Sequence, residues 1–181
     1  MERPAGGPPP PRAEPPPGVQ VRPARRADVR GMLGMLRDVA AEGRFLRMEG
    51  ATAVPAREVG RRIRRGWTPD HADVVAEAAG RVVGHLSVSR EEGAATRHVA
   101  SLGMAVARDW RGRGVGSALL AEAFRWARWA GVEKLALSVY PHNEAALALY
   151  RKFAFQEEGR LTGHSKKSYG YEDEIVMGRW L

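Results

Sequence analysis

The chain has 181 residues, 44% of them apolar, enough for one domain with a core, and no apolar run approaches the length of a membrane span. It has no cysteine, which excludes disulfides, thiolate metal sites and a cysteine nucleophile, and its five histidines (71, 85, 98, 142 and 164) lack close metal-ligand spacing, so no metal is expected. A formal net charge of +8 favours anionic partners.

Residues 1–17 hold eight of the 12 prolines and no apolar signal-like run, so they read as a disordered Pro-rich tail ahead of a folded domain over 18–181. Val19 to Arg22 reads as a short strand. Asp28 is placed to cap a helix whose apolar stripe is Val29, Met32, Leu33, Met35 and Leu36. Pro55 is placed to open a second helix running to Trp67. The arginine run of that helix, Arg57 to Arg65, reads as a solvated face. It carries no nucleic-acid-binding motif and no aromatic stacking pattern, so no nucleic-acid partner is expected. Asp73–Ala79 and Arg81–Ser89 form a hairpin around Gly80.

The central stretch runs from His98 to Ala130. It reads as an apolar strand over Val99–Val106, a glycine-rich turn over Arg108–Gly116, and a helix that Gly131 stops. A strand over Lys134–Tyr140, a helix after Asn143, and a hairpin of Phe155–His164 with Tyr171–Trp180 around Ser165–Gly170 complete the chain. This order reads as a mixed α/β fold: a twisted, mostly antiparallel sheet of six or seven strands with helices on both faces.

The chemistry of the turn is anion capture. The first N–H groups of a helix have no intrahelical partner, and the macrodipole puts partial positive charge there. Gly112, Gly114 and Gly116 let an anion approach that backbone, and Arg111 and Arg113 add formal charge. A diphosphate is the natural guest. The spacing is GxGxG, so it matches neither the Rossmann fingerprint nor the P-loop.

Arg111-x-x-Gly114-x-Gly116 after an apolar strand resembles the acetyl-CoA signature R/Q-x-x-G-x-G/A of the GNAT superfamily of acyl-CoA-dependent N-acetyltransferases. A second stretch is similar to the N-x-x-A-x-x-L-Y-x-x-x-G-F segment of that family, with Asn143, Ala146, Leu149, Tyr150 and Phe155 in place and Ala154 where glycine is usual. The resemblance covers Val19 to Leu181.

The resemblance implies acetyl-CoA as co-substrate, with the diphosphate on the N–H groups of Arg111, Gly112, Arg113, Gly114, Val115, Gly116 and Ser117. It implies a gap beside the central strand, in which the pantetheine arm bonds the backbone of Met104, Ala105 and Val106, and where one N–H holds the thioester oxygen. Asn143 would reach that arm from the other side. Tyr150, two helical turns on and on the same face, would protonate the leaving thiolate, since a phenol of pKa about 10 begins protonated beside a thiol of about 8.5. The first two helices would form a wall of the acceptor groove, which makes Arg44, Phe45 and Glu49 in their connection acceptor candidates.

An amine attacking the thioester must first lose a proton. Within the central strand no glutamate is available, so His98 at its start is the base candidate, with Ser101, Glu91 and Glu92 as neighbours. In the last strand Glu172 and Glu174 share one face and Tyr171 and Asp173 the other, and Asp173 is the candidate to hold the acceptor ammonium. Gly170, Tyr171, Asp173 and Met177 look like the ending of bacterial GNAT members that acetylate small amines, amino acids or protein N-termini. The expected function is direct acetyl transfer from acetyl-CoA to a primary amine of a small molecule or amino acid, in the cytoplasm, with a homodimer left open. The alternatives are a protein N-terminal or lysine acetyltransferase and a non-catalytic acyl-CoA-binding module.

Overall fold

Ala79 and Gly80 take φ of 47° and 75°, the left-handed pair that a two-residue hairpin turn demands. They join strand β2 (His71–Ala78) to β3 (Arg81–Arg90). A computed structural model describes residues 6–46 and 55–181. In it, β1 (Val19–Pro23) pairs antiparallel with β2, and β4 (Val99–Val106) pairs antiparallel with β3. Beyond helix α3 (Val115–Ala130), β5 (Lys134–Val139) lies parallel to β4. The C-terminal hairpin of β6 (Gln156–Lys167) and β7 (Gly170–Trp180) inserts β7 beside β5. Among the described residues the sheet has seven strands in the order β1-β2-β3-β4-β5-β7-β6, and β4–β5 is its one parallel pair.

Helices cover both faces. On one, α1 (Val29–Ala41) and α2 (Ala56–Ile63) pack Val29, Met32, Val59 and Ile63 onto Val75. On the other, α3 buries Leu119, Leu120, Phe124 and Trp126 against Val74, Leu86, Val88 and Leu102. Each of those large side chains contributes about 2 kcal/mol by leaving water. Helix α4 (Glu144–Lys152) joins the same layer through Leu147 and Tyr150. Glycine lets α3 come close: a Cβ on Gly84 of β3 would lie 3.0 Å from Leu119 and 3.1 Å from Val115.

Several boundaries differ from the sequence reading. Asp28 does not cap α1. Its carboxylate pairs with Arg22 at 2.7 and 2.8 Å and accepts the Arg25 N–H at 2.6 Å, so the helix follows a one-turn 3-10 segment instead. Helix α2 stops at Ile63, because the chain turns at Gly66 with φ 66°, and Trp67 lies beyond it under Arg125. Strand β6 runs on to Lys167, which shortens the hairpin turn to Ser168 and Tyr169. Residues 6–17 hold no helix or strand, yet they do not hang free: the Gly7 N–H donates to Trp180 O at 3.1 Å, the buried Arg179 donates to Pro8 O, and Ala13 packs on the core.

Arg62 of α2 is tied to the sheet through Asp73. This buried carboxylate accepts from His71 Nε2 at 2.8 Å, His85 Nε2 at 2.9 Å and Arg62 Nε at 3.0 Å. Burial pushes the carboxyl up, but those hydrogen bonds and charges outweigh it and hold Asp73 well below the usual carboxylate range. Among the described residues no helix is long and apolar enough to cross a membrane.

Candidate active site

Strands β4 and β5 pair at only three positions, Val99 with Lys134, Ala100 with Leu135 and Ser101 with Ala136. Beyond Ser101 they part, and a cavity of about 1030 Å³ opens between them, bounded by α3, α4, β7 and the segment after α1. Which β4 groups face it follows from parity. On one side the Ala107 N–H donates to Val83 O at 2.9 Å, and on the other His98 O accepts from Lys134 N–H at 3.0 Å. Backbone groups alternate between the two sides of a strand. Odd-numbered residues therefore bond to β3, and Leu102, Met104 and Val106 present theirs to the gap. Ala105, expected among the backbone donors, is turned toward its register partner His85 and lines the cavity without offering its N–H. Val106 O is occupied by Arg111 Nε at 2.9 Å, which leaves the Val106 N–H and both backbone groups of Met104 for a guest.

The mouth of the gap is the glycine turn. Gly112 and Gly114 take φ of 72° and 88°, which only glycine adopts freely. Gly116 serves packing instead. A Cβ there would lie 3.0 Å from Leu149, so its absence lets α3 pack against α4. No side chain caps α3, and the first of its N–H groups to find a backbone acceptor is that of Ala118, on Gly114 O at 3.1 Å. The N–H groups of Val115, Gly116 and Ser117 are thus open at the positive end of a 16-residue helix. The Val115 side chain is buried under the turn, facing β3. The two arginines expected beside these groups are engaged elsewhere. Arg113 lies 5.3 Å over the Trp110 ring, and Arg111 forms a two-pronged ion pair with Glu42 at 2.8 and 2.6 Å.

Helix α4 begins differently. Asn143 Oδ1 accepts the Ala146 N–H at 3.3 Å, so Asn143 caps its own helix and has its amide NH₂ left to donate into the cavity it lines. Tyr150 also lines the cavity, 5% exposed, and its hydroxyl has no hydrogen-bond partner among the described residues. Burial pushes its phenol up to about 12, so it stays protonated at any physiological pH.

The far wall holds a carboxylate that the sequence reading set aside. Glu174, 1% exposed, lines the cavity and accepts from Ser165 Oγ at 2.6 Å, while Tyr140 OH donates to Ser165 Oγ at 3.2 Å. The hydroxyls form a chain directed at Glu174. Asp173 points the opposite way, to Arg160 at 2.9 Å and the Gly163 N–H at 2.7 Å, outside the cavity. The alternation of β7 was readable, but which of its faces meets the cavity was not.

Phe45 lines the cavity with Leu46, whereas Arg44 contributes a carbonyl, accepting from His142 Nε2 at 2.7 Å. Glu49 lies outside the described residues. His98 is not brought to the cavity: it stacks on Trp180 at 5.7 Å, at the closed end where β4 and β5 are still paired. Ser101 lines the cavity and donates to Glu91 at 2.7 Å.

Residues 44–155 match the acetyltransferase (GNAT) family. The chain belongs to that family. It is similar to the L-amino acid N-acetyltransferase of Escherichia coli, 33% identical over 112 residues, which are 61% of this chain and 69% of that relative. Its fold is similar to the ribosomal-protein-alanine N-acetyltransferase of Brucella melitensis, with TM-score 0.78 and 29% identity over 90% of this chain and 99% of that one. A phosphinothricin acetyltransferase from Sinorhizobium meliloti, solved with acetyl-CoA, matches at TM-score 0.79 and 23% identity over 91% of this chain and 89% of that one, a likeness of fold. This GNAT chain is an acetyl-CoA-dependent N-acetyltransferase, with acetyl-CoA its co-substrate.

Proposed function

We propose that this cavity transfers the acetyl group of acetyl-CoA to the primary amine of a small molecule, with an amino acid as the leading acceptor. One observation carries the reading: an open helix N-terminus, a free strand edge, a buried phenol and a buried carboxylate line a single cavity. The donor diphosphate lies on the glycine turn and the open N–H groups of Val115, Gly116 and Ser117, and the pantetheine arm runs along Met104 and Val106 with the Asn143 amide across from it. A free β4 N–H, of Met104 or Val106, receives the carbonyl oxygen as it becomes negative.

The acceptor enters beside Phe45, Leu46 and Glu174. Glu174 holds its ammonium and takes one proton, and the amine nitrogen then bonds to the thioester carbon. As the C–S bond breaks, Tyr150 gives its proton to the thiolate and recovers one from the product nitrogen. The products are an N-acetyl amine and free CoA, with no covalent enzyme intermediate. Glu174 takes the role expected of His98 because it is in the cavity and His98 is not. The name of the Escherichia coli relative supports an amino acid. The likeness to a ribosomal-protein-alanine N-acetyltransferase supports a protein N-terminus as the second reading. We place the enzyme in the cytoplasm and propose a homodimer as the assembly to test by light scattering, with exposed Trp129 as a contact candidate.

The test is thiol release from acetyl-CoA over amino acids, polyamines and short peptides with free N-termini. Turnover confined to free amino acids supports the first reading. Turnover confined to peptides supports the second, and acetyl-CoA binding without turnover on any acceptor supports the binding module.

A further inference from the structure

Arg111 belongs by position to the donor turn, but its side chain leaves it. The guanidinium clasps Glu42, the residue that ends α1, in two parallel hydrogen bonds, and its carbon stands 4.8 Å over the Phe45 ring. Between these two contacts Gly43, at φ 69°, turns the chain off the helix axis. The segment Glu42–Leu46 then reaches the opposite wall. There Gly43 O lies 3.2 Å from Tyr169 OH, whose one proton it shares with Glu172 Oε1 at 3.0 Å, while Arg44 O accepts from His142 Nε2 at 2.7 Å and Leu46 O from Lys167 Nζ. The segment is a strap. One end is fixed to the β4 side of the gap by Arg111, the other to the β5–β7 side by three carbonyl contacts. It spans the two strands at the end where they no longer pair.

We propose that Arg111 is a positioning residue of the acceptor side: through Glu42 and Phe45 it holds the strap across the cavity mouth, and the donor diphosphate is held by the turn backbone without it. This rests on the acetyl-transfer reading above. The chemistry favours it in two ways. A bidentate arginine–carboxylate pair has fixed geometry as well as charge, which suits holding a loop. A guanidinium neutralised by Glu42 also has little net charge to offer a diphosphate.

The sign of one effect separates this from a merely structural pair. In Glu42→Ala, Arg111 is released beside the turn and a negative charge is removed. Calorimetry should then show acetyl-CoA affinity unchanged or up to about threefold tighter, since bringing a charge to an exposed anion is worth about 0.6 kcal/mol. Hydrogen exchange at the amides of residues 43–46 should become at least about tenfold faster, as an ordered loop loses an anchor of about 1.4 kcal/mol. With an equimolar mixture of the twenty common L-amino acids as acceptor, apparent KM should rise and kcat change less. Arg111→Ala should repeat the exchange and KM effects, the double variant should add nothing, and Arg111→Lys should restore part of the protection. Acetyl-CoA affinity falling in step with strap exchange in Glu42→Ala, or unchanged exchange, would overturn the inference. A wild-type protein that does not bind acetyl-CoA would instead overturn the acetyl-transfer reading itself.

Discussion

The two sides of the cavity are made of different material. The side we propose for the donor is backbone: the open N–H groups at the start of α3, the unpaired edge of β4 at Met104 and Val106, and two glycines in left-handed conformations. The side we propose for the acceptor is side chains from segments far apart in sequence, with Phe45 from the strap, Tyr140 just after β5 and Glu174 from β7, the last backed by Ser165 of β6. A site for a constant guest can be built once from backbone and a few glycines. A site for a chosen amine needs side-chain chemistry, which can be exchanged without disturbing the turn. Donor binding and acceptor use should therefore respond to different substitutions.

The largest expected effect falls where the two sides meet. Tyr150→Phe should lower kcat by about 10²–10⁴, the usual worth of one positioned acid, and leave acetyl-CoA affinity nearly unchanged, since the ring still fills its place. Burial holds the phenol pKa near 12, so wild-type kcat should show no alkaline loss from Tyr150 below about pH 10. Equal losses in kcat and affinity would make Tyr150 a packing residue and blur the division.

Asp73 lies outside both sides and serves as the control. Asp73→Asn strips a buried carboxylate from two histidines and an arginine and should cost about 3 kcal/mol of stability by denaturant titration. The folded carboxyl is held below its unfolded value, so its contribution is complete above about pH 4 and is lost as the pH falls further. The variant should lack that acid-side loss. Acetyl-CoA affinity at neutral pH should not change.

Gly114→Val acts on the donor side alone. It forces a β-branched residue to φ 88° at the start of α3, at a cost of about 2 kcal/mol. Acetyl-CoA should bind at least about tenfold more weakly by calorimetry, with acceptor KM at saturating donor little changed. The smallest effect is a gain. Ala154 stands at φ 57°, where glycine is usual in the family pattern, and Ala154→Gly should raise stability by about 1 kcal/mol with no change at either side.

The same contrast explains what could be read beforehand. Strand β4 was legible to the residue, and helix α3 at its Gly131 end, because an unbroken apolar run and a glycine stop are local signals; α3 begins at Val115, two residues inside the stretch that reads as turn. The glycine turn followed from them, whereas the direction of the Ala105 backbone depends on the register with β3. The acceptor side was not legible. Glu174 rather than Asp173 meets the cavity because β7 lies between β5 and β6, a pairing that alternation cannot reveal. The partner of Arg111 is 69 residues away, and no local signal shows that Glu42 takes up its charge. His98 was attractive by sequence position alone, and the pairing that closes that end of the gap removes it. Asp28 and Trp67 misled for a local reason: a 3-10 turn before α1 and a glycine bend after α2 displaced both helix ends.

The most direct measurement is a paired one on Glu174→Gln: calorimetric affinity for acetyl-CoA and kcat/KM for the amine acceptor. If the two sides are separate, acetyl-CoA affinity stays within about twofold while kcat/KM for the acceptor falls by about 10² or more. An acetyl-CoA affinity that falls as far as kcat/KM, or an unchanged kcat/KM, would contradict the division and return Glu174 to the fold.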